Sequence, residues 1–451
     1  MQFQLTADYI EKVAKLIANK DGHAIKIVLQ DVHFADIADL LEELKSKDAT
    51  YLIKLLESEI TSEVLMELDE DVREKILDRL SPEEIAQELE EMDTDDAADV
   101  IAELDDHIQK KVIEKIEDET HASDIVELLK YDEDTAGALM AKELVQVKES
   151  WTVASCVREM RIQAENVTRV HSIYVTDNEG KLKGRLSLKD LLTASAKTHI
   201  SEVYIPKVDY VTVNTEDEEV ARIMQKYDLE AIPVVDEKGI LVGRITIDDI
   251  VDFIKEEAEK DYQMAAGISQ DVEADDSILQ LTKARLPWLV LGLLGGLGSV
   301  FILQSFESIM NNPELKTLFF FTPLIAAMAG NVGVQSSAII VQGLANDVVK
   351  GSLFNRLLKE VGLALINGSI LGVLVILFGF VMQYEIEFSL TIAISMLTVI
   401  IIAALIGTFV PIILDKKGID PAIATGPFIT TSNDIFGIFL FFYISKLILG
   451  F

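Results

Sequence analysis

The sequence predicts a multidomain membrane protein: an all-α superhelical N-terminal domain, a duplicated α/β unit, a long connecting helix and a five-helix transmembrane domain. Three observations predict it. The 451 residues carry a formal net charge of −36, but the charge is confined. From Leu286 to Phe451 there are seven Lys and Arg against nine Asp and Glu, a net of −2, so the other −34 falls on residues 1–285. The same C-terminal stretch holds five long apolar segments, and an internal repeat occupies the middle of the chain.

Residues 1–130 read as an acidic helical domain. ADIADLLEEL (Ala35–Leu44), PEEIAQELEEM (Pro82–Met92) and DDAADVIAEL (Asp95–Leu104) place apolar residues at helical spacing, and the turns between them carry Asp, Ser or Pro. Short, similar units of this kind suggest a superhelical stack related to solenoids. So acidic a surface repels nucleic acid and anionic lipid and attracts cations. His23, His33, His107 and His121 are scattered without metal-ligand spacing. Cys156, the single cysteine, excludes an internal disulfide framework and a cysteine metal cluster. The amphipathic start, MQFQLTADYIEKVAKL, lacks the apolar core of a secretory signal.

The repeat spans residues 131–200 and 201–252. SIYVTDNEGKLKGRLSLKDLL (Ser172–Leu192) aligns without a gap on AIPVVDEKGILVGRITIDDIV (Ala231–Val251). Asp177 matches Asp236, Gly180 matches Gly239, Arg185 matches Arg244, and Asp190 matches Asp249. Each copy predicts a strand, a DxxG turn, a second strand and a helix opened by Ser187 or Thr246. A further helix precedes each copy, and the resulting β-α-β-β-α order, used twice, resembles a pair of CBS domains. Such pairs often bind adenine nucleotides, which makes Ser187, Asp190, Thr246 and Asp249 the positions for ATP. The alternative is a dimerising module with an empty cleft.

The connecting segment, residues 248–280, opens with DDIVDFIKEEAEKDYQMAAGI. Asp249, Asp252, Glu256 and Glu259 fall at spacings of three and four and share one helical face. Like charges stacked this way repel, and a cation between this helix and another acidic surface would steady it. A solvated linker is the plain alternative.

Residues 284–451 form the membrane domain. The apolar segments run near Leu286–Phe306, Leu318–Ala345, Val361–Met382, Phe388–Leu414 and Pro427–Gly450, each long enough to cross the hydrocarbon core as a helix. Lys283 and Arg285 precede the first span; Lys350, Arg356 and Lys359 lie between spans two and three; Lys416 and Lys417 lie between spans four and five. Glu314, beside Lys316, and the pair Glu385 and Glu387 lie in the other two connections. The positive side belongs inside, so the expected arrangement in the cell membrane is multi-pass, with a cytoplasmic N-terminus and an extracytoplasmic C-terminus.

Polar residues inside the spans are the candidates for a pathway. Asp434 lies well within the last span, next to Thr430, Thr431, Ser432 and Asn433. In span two, PLIAAMAGNVGVQSS contributes Gly330, Asn331, Gly333 and Gln335. Gly and Pro let helices pack closely or unwind and free carbonyl oxygens. An acid, an amide and loosened carbonyls suit a hard, oxygen-preferring cation. The glycines could equally be packing residues. Glu360, beside Lys359 at the start of span three, reads as a boundary charge.

The whole order resembles the MgtE family of magnesium channels, through YDEDTAGALM (Tyr131–Met140), PLIAAMAGNVGVQSS (Pro323–Ser337) and DPAIATGPFITTSNDIFG (Asp420–Gly437). The resemblance covers essentially the whole chain. It implies a homodimer in a lipid membrane, with Mg²⁺ crossing on the two-fold axis. It implies that Asp434 of both chains selects the ion, with Asn331, Gly330, Gln335, Thr430 and nearby carbonyls around it. It also implies regulatory Mg²⁺ between the N-domain, the CBS pair and a plug helix, at positions matching Asp95, Asp99, the Gly137 carbonyl, Glu216, Glu218, Asp228, Asp249, Asp252, Glu256, Glu257 and Glu259. Lys260 interrupts the acidic run, which leaves that last ligand set open by a residue or two.

A pathway for Co²⁺ or Mn²⁺ remains a rival reading. A zinc- or copper-selective site is disfavoured because no His or Cys cluster lies near the spans. An enzyme is not expected, since His199 is the last histidine and no nucleophile–base set occurs in the spans.

Overall fold

The computed structural model describes residues 4–450 apart from 165, 166, 168, 271, 273, 275, 312–314, 347, 350 and 425, and not the side chains of 310, 311 and 424. Glu314 and Lys350, used above for orientation, lie outside the described residues. The chain divides into two compact units, Met1–Ile254 and Lys255–Phe451.

The first unit opens with ten short helices among the described residues: α1 (Ala7–Ala18), α2 (Gly22–Leu29), α3 (Phe34–Glu42), α4 (Ser46–Ile53), α5 (Ser58–Glu67), α6 (Glu70–Leu77), α7 (Pro82–Leu89), α8 (Thr94–Ala102), α9 (Asp106–Ile113) and α10 (Glu119–Leu128). Each buries one apolar stripe. Packing then skips an element: α3 lies on α5, α5 on α7 and α7 on α9, while α4 lies on α6 and α8 on α10. That pattern winds a stack, as the short repeated units predict. Local chemistry sets the helix starts. Ser81 accepts from the Glu84 amide at 3.2 Å while the Glu84 carboxylate accepts from the Ser81 amide at 2.8 Å, and Pro82 fills the first turn. Arg73 links successive layers. It pairs with Glu103 at the end of α8 and donates to the carbonyls of Leu65 and Leu68, both at 3.1 Å. It thereby satisfies carbonyls that the end of α5 leaves without helical partners.

Two sheets follow, each with one parallel and one antiparallel pairing. The first copy runs β1 (Val145–Lys148), α11 (Val153–Gln163), β2 (Ile173–Thr176), β3 (Leu182–Leu186) and α12 (Leu188–Thr193). The second runs β4 (Val211–Thr212), α13 (Asp217–Tyr227), β5 (Ala231–Val235), β6 (Leu241–Thr246) and α14 (Ile247–Ala266). The DxxG turns are alike. Asp177 Oδ1 accepts from the Glu179 and Lys181 amides at 2.9 and 3.0 Å, and Asp236 Oδ1 from Lys238 and Ile240 at 2.9 and 2.8 Å. Gly180 and Gly239 close these turns at φ of +88° and +80°, where a Cβ would be strained. The turns also pair with each other: Leu182 N–H donates to Gly239 O and Leu241 N–H to Gly180 O, both at 3.1 Å.

Among the described residues, the second unit contains five helices long and apolar enough to cross a membrane: α15 (Ile278–Ser305), α16 (Thr322–Ala345), α17 (Leu353–Val381), α18 (Ile386–Asp415) and α19 (Gly426–Leu449). α15 and α17 begin about two turns before the apolar segments read from the sequence, because Ser277 and Ser352 cap them. Span two is helical through Gly330 and Gly333, so of the two readings of these glycines, unwinding does not occur. The tail of α14 belongs to this unit and stops at Gly267, φ +81°. There it runs close to the start of α19, where a Cβ on Gly267 would meet the Pro427 ring and one on Gly426 would strike the Ala265 carbonyl.

Candidate functional site

Two places gather the polar residues singled out above, one in each unit.

In the bundle, α16 is held between α18 and α19 through glycines. At Gly330 a Cβ would come 3.1 Å from Thr430 Cγ2 and 3.5 Å from Asp434 Oδ1. One turn on, a Cβ at Gly333 would collide with the Asn433 amide and come within 2.7 Å of Ile429 Cγ2. A Cβ at Gly407 on α18 would strike the Gly333 carbonyl. The glycines are therefore packing residues that let backbones and polar side chains approach closely. The structure brings Gly330, Thr430 and the half-buried Asp434 together. Thr430 donates its hydroxyl to Gly426 O at 2.9 Å, which supports the first turn of α19. Asn331 and Gln335 lie one turn apart on α16 and are exposed in the single chain, so they do not join this group within it.

Two polar residues of the bundle were missed as site candidates. Asn433 is only 1% exposed and packs against Gly333. Its sequence signal was its place beside Asp434. Glu360 is only 8% exposed and accepts from Ser336 Oγ at 3.2 Å. That corrects its reading as a boundary charge: α17 starts earlier than its apolar run and carries Glu360 inside the bundle.

In the first unit, α8, the segment after α10 and the start of α14 meet at an acidic corner. Thr94 joins the first two: its amide and hydroxyl donate to Glu143 Oε2 at 3.2 and 2.8 Å, and its Oγ1 accepts from the Lys142 amide at 2.9 Å. Asp95 is 7% exposed, and burial first, then Asp96 and Asp249, pushes its carboxyl well above the usual range. Burial, then the charges of Asp249, Asp93, Asp99 and Glu63, pushes Asp96 up to about 8. Burial likewise raises Asp249 and Glu143. Arg244, 4% exposed, serves this corner from within: it reaches Asp93 at 3.3 Å and donates to Arg169 O at 3.1 Å. Its repeat counterpart Arg185 is exposed, so the two copies have diverged in use. Asp93, Asp96 and Glu143 were not among the sequence candidates; the DTDD run at 93–96 was the available signal.

The other predicted positions are more dispersed. Asp99 is exposed on α8 beside the corner. Gly137 donates its amide to Val213 O at 3.0 Å, and a Cβ there would meet the Tyr131 ring at 2.6 Å. Glu216 and Glu218 flank the start of α13, whereas Asp228 ends it at φ +51°. These acids are therefore about 16 Å apart along the helix and do not converge. Asp249 and Asp252 lie on the part of α14 in the first unit, and Glu256, Glu257 and Glu259 on the part in the second. Lys260 pairs with Glu257 at 2.7 Å. Asp261, further along α14, is raised by burial and then by Asp420 in the loop before α19. Among the described residues no three His, Cys, Asp or Glu converge tightly enough to enclose one metal ion.

The nucleotide candidates separate by copy. Thr246 donates both its hydroxyl, at 2.6 Å, and its amide, at 3.0 Å, to Asp249 Oδ2. That pair closes its own helix start. Ser187 makes no such bond at the start of α12.

Comparison with known proteins bears on the whole chain. A family model described as a divalent cation transporter, MgtE, matches residues 322–444. The MgtE intracellular N domain matches 32–134, and the CBS domain matches 136–197 and 200–256. The magnesium transporter MgtE of Thermus thermophilus is 33% identical over 447 residues, covering 95% of this chain and 96% of that protein. The magnesium transporter MgtE of Enterococcus faecalis is 36% identical over 327 residues, 72% of each. A crystal structure of the cytosolic domain of the Mg²⁺ channel MgtE in complex with ATP is 36% identical, with a TM-score of 0.51, and covers 54% of this chain and 99% of that one. Acidic helical stack, CBS pair, connecting helix and five spans thus match in order and over nearly the full length, and the chain belongs to the MgtE family of magnesium transporters.

Proposed function

We propose that this chain carries Mg²⁺ across a cell membrane along the α16–α19 face at Asp434, and that internal Mg²⁺ closes the path through the acidic corner and the connecting helix. The observation that carries the first part is the half-buried carboxylate of Asp434 within a spanning helix, set against Gly330 and Thr430. An intramembrane acid is costly unless it serves an ion or a partner. Mg²⁺ sheds water reluctantly, so a few oxygens around a hydrated ion suit it better than a closed cage.

Asn331 and Gln335 support a homodimer. Two polar side chains exposed on one face of a spanning helix call for a second chain or a water-filled path, and a pore on a two-fold axis supplies both. The positive flanks of the spans support a cytoplasmic N-terminus and an extracytoplasmic C-terminus.

The closing mechanism is electrostatic. Asp95, Asp96 and Asp249 crowd one corner, and Asp261 faces Asp420 near the start of α19. Cations screen both, so high Mg²⁺ favours the compact arrangement and low Mg²⁺ lets the repulsion open it. Inverting a two-state population takes ~5 kcal/mol of differential binding, within reach of several weakly held ions.

Mg²⁺ flux into liposomes with Asp434→Ala and Asp434→Asn tests the pathway. Unchanged flux in both would overturn it. Protease protection of residues 248–268 across millimolar Mg²⁺ tests the gate, and no change would remove it.

A relative's cytosolic domain with ATP supports nucleotide binding in the CBS pair. The Thr246–Asp249 bond engages the second copy's candidates with each other, so Ser187 and Asp190 are the pair to test. Asp190→Ala should weaken ATP binding in a direct titration, and equal affinity would exclude that residue.

A further inference from the structure

One buried acid of the bundle has no part in the pathway just described. Glu360 lies near the start of α17 and accepts a hydrogen bond from Ser336 Oγ at 3.2 Å, with both residues under 10% exposed. Ser336 follows Gly330 and Gly333 at successive three-residue steps, so the three positions wind about 120° around α16 over about 9 Å of its length. Over two turns α16 thus meets Asp434 at Gly330, Asn433 at Gly333 and, further round, Glu360 at Ser336.

The three contacts differ in kind. At Gly330 and Gly333 the helix offers no side chain, and at Gly407 the facing helix offers none either. Such contacts allow close approach but resist rotation or sliding only weakly, because small smooth surfaces have no direction. A hydrogen bond does have direction, and in a bundle it also satisfies two groups that lipid would leave bare. The register of α17 on α18 supports a fixed anchor. Gly379 lies against Ser389 and Gly368 against Leu397, which puts Glu360 near the level of Gly407, where α18 meets α16.

We propose that the Ser336–Glu360 hydrogen bond positions α16, fixing its rotation and depth so that Gly330 and Gly333 keep their places against Asp434 and Asn433. Glu360 is thus a positioning residue for ion selection that does not itself hold the ion. This inference rests on the pathway reading of Asp434.

Flux of Mg²⁺ and of Ca²⁺ into liposomes, each titrated, tests it in the full-length protein with S336A, E360A, E360Q, the S336A/E360A pair and D434A. S336A and E360A should each shift the Mg²⁺ concentration for half-maximal flux, or the Mg²⁺-to-Ca²⁺ ratio, by roughly threefold to tenfold, the range of one interhelical hydrogen bond. The double variant should be no worse than the singles. E360Q keeps an acceptor for Ser336 and should restore most of the shift. A residue that merely supports folding would lower the amount of active protein and leave both readouts unmoved. Unmoved readouts in S336A, additive losses in the pair, or E360Q as damaging as E360A would each overturn the proposal. Should E360A fail to fold, S336A still decides. Full flux in D434A would instead overturn the pathway reading, so the two failures are distinguishable.

Discussion

The acidic corner and the α16–α19 face both remove aspartates from water, but by opposite means. At the corner, Asp93, Asp95, Asp96, Asp249 and Glu143 crowd together, with Arg244 answering Asp93. In the bundle, among the described residues of one chain, Asp434 lies against glycine and threonine and away from such a crowd. A crowd of carboxylates repels itself, so its arrangement depends on how many protons or cations are at hand. A carboxylate set singly between packed helices meets no such crowding within its own chain. The first arrangement suits a sensor and the second a selective site. In the proposed function the same residue type serves both, because charge density, rather than charge, distinguishes them.

The largest expected effect would sharpen the bundle side of this comparison. Asp434→Ala should lower Mg²⁺ flux by at least 10- to 100-fold, roughly the loss that even outer-shell changes cause at a metal site. A smaller loss in flux would make Asp434 one contributor among several.

Packing comes next. Gly333→Ala should destabilise the protein by about 1–3 kcal/mol, because the added methyl collides with Asn433 on a rigid neighbouring helix. Gly292→Ala, inside α15 where a Cβ meets nothing within 4 Å, should be neutral to stabilising, by up to about 1 kcal/mol. Thermal melting in detergent checks both. A loss at Gly292 as large as that at Gly333 would mean that a second chain covers α15.

The smallest effect belongs to the corner. Asp96→Asn removes a carboxyl that must either stay charged in the crowd or take up a proton on docking, and should lower the Mg²⁺ needed for half-protection of residues 248–268 by at least about fivefold, since one like-charge contact is worth on the order of 1 kcal/mol. A higher requirement would make Asp96 a ligand instead of a source of repulsion. The pH dependence has the same origin. Asp96 in the compact corner has its carboxyl raised to about 8 by burial and by Asp249, Asp93, Asp99 and Glu63. A raised acid takes up a proton on docking, so the compact state is favoured at pH below the ordinary carboxylate range. That contribution is lost as pH climbs from there through about 8. Protection measured without Mg²⁺ should therefore fall between about pH 4 and 8 and level off above, and millimolar Mg²⁺ should flatten the fall.

Much of this architecture was legible in the order of residues. Periodicity, charge partition and the aligned DxxG turns are local properties, and they predicted the helical stack, the duplicated α/β unit and five spans. Asp434 stood out because an acid in an apolar run needs no neighbour to be conspicuous. What tertiary structure decided was which polar groups share a location. Glu360 looked like a boundary charge because its apolar run begins after it, but the Ser352 cap starts the helix earlier and draws it inside. Gly330 and Gly333 looked able to unwind a helix, but Thr430, Asn433 and Gly407 fill the space beside them. Arg185 and Arg244 are equivalent by alignment, but only Arg244 is buried and meets Asp93, whereas Arg185 is exposed. Sequence spacing fixes neighbours three or four residues apart on one helix. Partners more than a hundred residues away, such as Asp93 and Arg244, are chosen only when the chain packs.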